Sequence, residues 1–156
     1  MTVERNPDKI ELIREYFLTH PDVIFAVIFG SFAEGRQTKV SDIDIGVYTN
    51  RELELLELGQ LVADIENIVK HKVDIVILND IHKRSPAFAY QIIRTCRPLI
   101  IRDEAKFLAF KTKVMLTYLD TRYLYDMVNR AFIDRIKKQN IGLNSKSCTS
   151  CDTVYP

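Results

Sequence analysis

The sequence predicts an α/β (α+β) chain: a small mixed β-sheet, helices packed mainly on one side of it, and a long C-terminal helix. Three observations predict this. Short apolar runs of strand length recur at residues 23–29, 43–47, 73–78 and 99–101, bounded by polar or turn-forming residues. Between them lie stretches whose apolar residues repeat at helical spacing, so strands and helices alternate along the chain. From residue 104 to about 138 the helical spacing continues without a turn signal, as one long amphipathic helix or two broken ones.

Taken in order, Asn6-Pro7-Asp8 is a helix start, with Asn6 as cap and Pro7 at the first helical position. Ile10, Ile13, Tyr16 and Phe17 give that helix one apolar face, and it ends near His20-Pro21. The first strand, Val23-Ile24-Phe25-Ala26-Val27-Ile28-Phe29, runs directly into Gly30-Ser31, where a short helix around Phe32 begins. After a polar loop, Asp42-Ile43-Asp44-Ile45-Gly46-Val47 alternates with period two. In a strand this sends both carboxylates to one face and Ile43, Ile45 and Val47 to the other, into a core. Residues 51–70 read as a helix with Leu53, Leu56, Leu61, Ile65 and Ile68 inward, and residues 72–78 as a third strand carrying Asp74. Residues 86–97 read as a helix capped by Ser85, with Phe88, Ile92 and Ile93 inward. The stretch from Arg97 to Arg102 reads as an edge strand, because Pro98 cannot donate to a ladder. In the long helix, Phe107, Phe110, Val114, Leu116, Leu119, Tyr123, Met127, Ala131 and Ile133 are the apolar positions. Tyr118, Tyr123, Tyr125 and Phe132 add more aromatic surface than one helix face buries at home, which points to a partner interface over residues 103–138. Residues 1–138 are expected to form a single domain, and 139–156 a flexible tail.

Composition bounds the rest. With 22 Lys and Arg against 21 Asp and Glu, the net charge is +1, which argues against a broad basic face for nucleic acid. No apolar run is long enough for a bilayer, and the charged N-terminal stretch lacks the apolar core of a signal peptide. A cytoplasmic protein without membrane attachment is expected. Cys96 reads as a small packing residue, and Cys148-x-x-Cys151 has no second Cys/His pair to complete a zinc site.

The chemistry concentrates in residues 29–47. Two adjacent carboxylates repel each other unless something neutralises them, and a divalent cation is the usual answer. Mg²⁺ takes few carboxylates and completes its shell with water and substrate phosphate. A glycine after a buried strand lets a phosphate approach the backbone, and Ser31 offers a hydroxyl and an N–H at a helix start. One strand therefore ends at a phosphate cradle, and the next carries the metal carboxylates, an arrangement suited to a nucleoside triphosphate with Mg²⁺. No G-x-x-x-x-G-K-[ST] is present, so the cradle is not a P-loop. Arg36 and Lys39 are the cations of the intervening loop, each able to offset β- and γ-phosphate charge.

The pattern G-S-x₁₀-D-x-D, with Ser41 just before Asp42, resembles the signature of the DNA polymerase β-like nucleotidyltransferase superfamily. Within it, the short chain resembles the minimal nucleotidyltransferase (MNT) domain proteins, many of them antitoxins paired with HEPN-domain RNase toxins. The family expects a third acidic residue on a neighbouring strand, and Asp74 in Val73-Asp74-Ile75-Val76 supplies it. The resemblance covers roughly residues 23–101. It implies Gly30, Ser31, Lys39 and Ser41 on the nucleotide and Asp42, Asp44 and Asp74 on two Mg²⁺ ions, with Asp74 also able to take the acceptor's proton. It implies ATP as substrate and a HEPN toxin as partner, contacted through the C-terminal helix. The implied reaction transfers AMP to a tyrosine hydroxyl of that toxin. Two alternatives stay open: a small-molecule nucleotidyltransferase of the aminoglycoside-modifying kind, and a catalytically silent antitoxin that acts by binding alone. Arg14-x₅-His20 fits the R-x₄₋₆-H pattern of the HEPN ribonucleases, but no HEPN bundle can be built around it.

Overall fold

Every residue of the strand β1 (Val23–Phe29) is buried, and that settles how the helices are placed. A strand apolar on both faces must be covered on both faces. The computed structural model describes residues 7–38 and 40–140, with the backbone only of residues 7, 8, 139 and 140. The elements follow as α1 (Pro7–Leu18), β1, α2 (Gly30–Glu34), β2 (Ile43–Thr49), α3 (Leu55–Val69), β3 (Val73–Ile77), α4 (Ile81–Arg84), α5 (Pro86–Thr95), β4 (Arg97–Ile101) and α6 (Glu104–Asn140). The sheet order is β3-β2-β1-β4. β1 pairs antiparallel with both β2 and β4, while β2 and β3 run parallel. The mixed sheet and the long C-terminal helix match the expectation, and β4 is an edge strand as Pro98 requires.

The expectation of helices mainly on one side does not hold. Ala26 and Ile28 of β1, with Ile43, Ile45 and Val47 of β2, pack against Ile13 and Phe17 of α1 and Leu61, Ile65 and Val69 of α3. Phe25, Val27 and Phe29 face the other way, onto Ala89 and Ile92 of α5 and Phe110 and Val114 of α6. Phe25 sits at the centre of that second face, stacked on Tyr48 with ring centroids 4.7 Å apart and edge-on to Phe107 at 4.9 Å.

Several helix limits and faces also differ from the sequence reading. α3 begins at Leu55 rather than residue 51, because Glu54 and Glu57 form a capping box that fixes the start there. Leu56 is consequently 84% exposed and Ile68 also faces outward, leaving Leu61, Ile65 and Val69 as the buried stripe. A short unexpected helix, α4, precedes Pro86. Ser85 caps α5 without a side-chain bond; its carbonyl accepts the Ala89 N–H at 2.9 Å. Phe88, expected inward, is 38% exposed. α6 is one continuous helix, but only Phe107, Phe110 and Val114 of its expected apolar positions pack on the sheet. Leu116, Leu119, Tyr123, Met127 and Ile133 are exposed.

The chain divides into two compact units, Met1–Tyr118 and Leu119–Pro156. The first holds the whole sheet and both cores. The second is helical as far as Asn140 and carries an unusually apolar exposed surface, including Tyr123, Leu124, Tyr125, Val128 and Phe132. Among the described residues, no helix is long and apolar enough to cross a membrane. Asn6, Cys148 and Cys151 lie outside the described residues, as does the expected tail beyond Asn140.

Candidate active site

The site is built where β1 ends and β2 and β3 begin. Gly30 follows Phe29 with φ +68°, a conformation side-chain-bearing residues rarely adopt. A Cβ at Gly30 would also collide with the Asp44 carboxylate, coming against Oδ2 and within 3.3 Å of Cγ. Backbone freedom and space therefore both demand glycine here, and the backbone of Gly30 lies directly against the Asp44 side chain. The antiparallel register, which sets Phe29 opposite Asp44, produces this approach. The chain then turns through α2, whose end is closed by Gly35 at φ +70° and by the Arg36 N–H donating to the Ser31 carbonyl at 2.9 Å. Ser31 is half-buried, and its hydroxyl makes no hydrogen bond among the described residues.

Asp44 and Asp74 are lateral partners across the parallel β2–β3 pair, and Asp42 lies just ahead of β2, its charge acting on Asp44. Asp44 is half-buried, Asp74 exposed. Burial, together with the charges of Asp74 and Asp42, pushes the Asp44 carboxyl above its ordinary value of 3.8. Among the described residues Asp42 is paired with Lys72, whose Nζ lies 3.3 Å from its Oδ2. Among the described residues no group of three or more His, Cys, Asp or Glu could hold a metal by itself. The donor set is nonetheless the one a hard cation takes: carboxylates whose charges converge on Asp44, beside a backbone with no Cβ in the way. Such an ion would draw its remaining ligands from water and phosphate.

Gly30, Asp44 and Asp74 line one cavity of about 250 Å³, completed by Phe29, Glu34 and Val76 and by Phe88, Gln91, Ile92 and Thr95 of α5. The α5 contribution was not foreseen. Its only signal in the sequence is that Phe88 and Gln91 share a helical face with Thr95, which reads equally well as core. Of the other expected site residues, Ser41 turns its hydroxyl to Thr38, accepting from the Thr38 N–H at 2.9 Å and lying 2.8 Å from Thr38 Oγ1. Arg36 is paired with Glu34. Lys39 lies outside the described residues. His71 places its ring nitrogen Nε2 2.6 Å from the Ser41 carbonyl.

Comparison with known proteins speaks to the family and the fold. The family described as Polymerase beta, Nucleotidyltransferase matches residues 11–105. A protein of Methanocaldococcus jannaschii, provisionally named a protein adenylyltransferase, is 40% identical over 57 residues, 36% of this chain and 61% of that protein. The chain spans between 56% and 63% of the length of the three curated relatives it matches, all from that organism and all so named. Among solved structures, a chain of a toxin–antitoxin complex with AMP-PNP superimposes with a TM-score of 0.62 at 23% identity, covering 83% of this chain and 98% of that one. A chain from the complex of a tri-AMPylated Shewanella oneidensis HEPN toxin with its MNT antitoxin gives a TM-score of 0.57 at 19% identity, covering 82% and 98%. At these identities the likeness is one of fold.

Proposed function

This chain belongs to the polymerase beta nucleotidyltransferase family, and from that premise we propose that it is a cytoplasmic, Mg²⁺-dependent protein adenylyltransferase acting as the antitoxin of a HEPN RNase toxin. The observation that carries the catalytic part is the backbone of Gly30 set directly against Asp44, with Asp74 its lateral partner. The relatives named for protein adenylyl transfer and the toxin–antitoxin neighbours support the choice of acceptor.

In this reading the Gly30 backbone and the Ser31 hydroxyl bind the β- and γ-phosphates of ATP. Lys39 offsets their charge, and Ser41 holds the loop that leads into Asp42. Asp42, Asp44 and Asp74 would hold two Mg²⁺ ions, which when bound neutralise phosphate charge and acidify the attacking hydroxyl. A tyrosine hydroxyl of the toxin attacks the α-phosphorus; the bond from that phosphorus to the bridging oxygen breaks, and pyrophosphate leaves. The phenolic proton passes to the Asp74 carboxylate, which is exposed and able to receive it. The exposed apolar residues between Leu119 and Ile136 supply the surface for the toxin.

The test is the intact mass of the cognate HEPN protein after incubation with this chain and Mg-ATP. The proposal expects gains of whole AMP units that vanish with Asp42→Asn. A stable complex without mass gain would instead mean neutralisation by contact alone, and neither gain nor complex would remove the toxin as partner.

A further inference from the structure

We propose that His71 is a positioning residue that couples the acidic strand to the phosphate turn; the proposal deepens the nucleotidyltransferase reading and rests on it for its kinetic consequences. His71 and Lys72 together grip three consecutive residues at the entry to β2. The His71 ring reaches the Ser41 carbonyl at 2.6 Å. Because a carbonyl only accepts, Nε2 carries the proton and donates it. Lys72 Nζ meets the Asp42 carboxylate at 3.3 Å, and the Lys72 carbonyl accepts the Ile43 N–H at 3.0 Å. Ser41, Asp42 and Ile43 are thus each held by one of two adjacent residues.

The same imidazole also faces the other half of the site. Its ring lies edge-on to Phe32, with centroids 5.7 Å apart, and Phe32 follows Gly30-Ser31 in α2. The segment that bears His71 is itself anchored, since the Val73 N–H donates to Glu66 Oε1 of α3 at 3.0 Å. One half-buried side chain therefore touches the approach to Asp42 and the helix that follows the phosphate turn, and it stands three residues before Asp74. A site whose parts come from separate elements needs such a brace, because small displacements of positioned groups are costly to the rate.

The experiment compares His71→Leu, which keeps an apolar contact for Phe32 but has no donor, with His71→Gln, whose amide can still donate to the Ser41 carbonyl. Two readouts are taken on the full chain. The first is amide hydrogen exchange without ligand: His71→Leu should speed exchange in residues 30–35 and 40–44, leave β1 and α5 unchanged, and be largely reversed by His71→Gln. The second is KM for Mg-ATP against kcat in AMP transfer. We expect His71→Leu to raise KM by about three- to tenfold, the equivalent of one hydrogen bond, with recovery in His71→Gln. A role limited to stability would lower the active fraction, and so apparent kcat, at unchanged KM. Unaltered exchange in both segments, or exchange raised everywhere alike, overturns the brace whether or not the protein transfers AMP. Absence of transfer in the wild type, with exchange changed as expected, would count against the adenylyltransferase reading and leave the brace standing.

Discussion

The two ends of β2 treat charge in opposite ways. Just beyond its C-terminal end, Arg51 donates to Asp22 at 3.0 Å and, through both terminal nitrogens, to Glu57 at 2.9 and 2.7 Å. Asp22, Arg51 and Glu57 are all paired there. Thr49 and Asn79 tie the same end to the start of α4, with the Asn79 amide donating to the Thr49 carbonyl at 2.8 Å. At the N-terminal end Lys72 pairs with Asp42, and among the described residues neither Asp44 nor Asp74 has an ion-pair partner. One end is arranged to hold the sheet and its helix cap together. The other brings three carboxylates together with one ion pair among the described residues, an arrangement that a bound cation would relieve and that the proposed function uses.

The largest expected effect separates these ends by activity. Asp44→Asn should reduce AMP transfer by about a hundredfold or more, beyond the tenfold to hundredfold typical of groups that only support a ligand, as read by AMP incorporation into the toxin. Gly30→Ala should cost a comparable factor, roughly a hundredfold, since the new methyl displaces Asp44 and the backbone must leave its positive φ. Arg51→Leu should do the reverse, lowering the melting temperature while leaving the affinity for Mg-ATP near wild type, because it unpairs two carboxylates far from the cavity lining. Arg51→Lys should recover only part of the loss, since an ammonium cannot reproduce the two-pronged contact with Glu57.

The smallest effect is one of pH, and its sign differs between the ends. Arg51 and the Glu54 N–H pull the exposed Glu57 carboxyl down to about 2 from its ordinary 4.5. Its contribution is present above pH 4.5 and fades as the pH falls toward 2. Asp44 is raised instead, so the folded protein binds its proton more readily than the unfolded chain does. Its ionisation therefore costs stability, and that cost disappears as the pH falls through its folded value toward 3.8. Acid titration of the melting temperature in Arg51→Leu and Asp44→Asn should show the two slopes with opposite sign, both small because Glu57 is solvent-screened and Asp44 only half-buried.

The features legible in the sequence are those written in local periodicity. Alternation through residues 42–47 located the carboxylates on one face, and the apolar run into Gly30-Ser31 located the turn. What escaped depends on partners distant in the chain. That helices cover both faces follows from β1 being apolar at every position, whereas the alternation of β2 alone suggests one covered face. Phe88 and Gln91 recur at helical spacing whether they face a core or a cavity. The grip of His71 on the Ser41 carbonyl spans 30 residues and ends on a backbone atom, so no side-chain pattern records it. Leu56 was read as inward because the apolar repeat extends past the capping box, which only the geometry of Glu54 and Glu57 reveals.

The most direct test of the contrast is thermal melting of wild type and Asp44→Asn at neutral pH, each with and without Mg-ATP. Without ligand, Asp44→Asn should melt slightly higher than wild type, because it removes a carboxylate that burial and the charges of Asp74 and Asp42 disfavour. With Mg-ATP, the wild type should rise and Asp44→Asn should not. If wild type is the more stable protein without ligand, or if both rise equally with Mg-ATP, the carboxylates are structural and the site lies elsewhere.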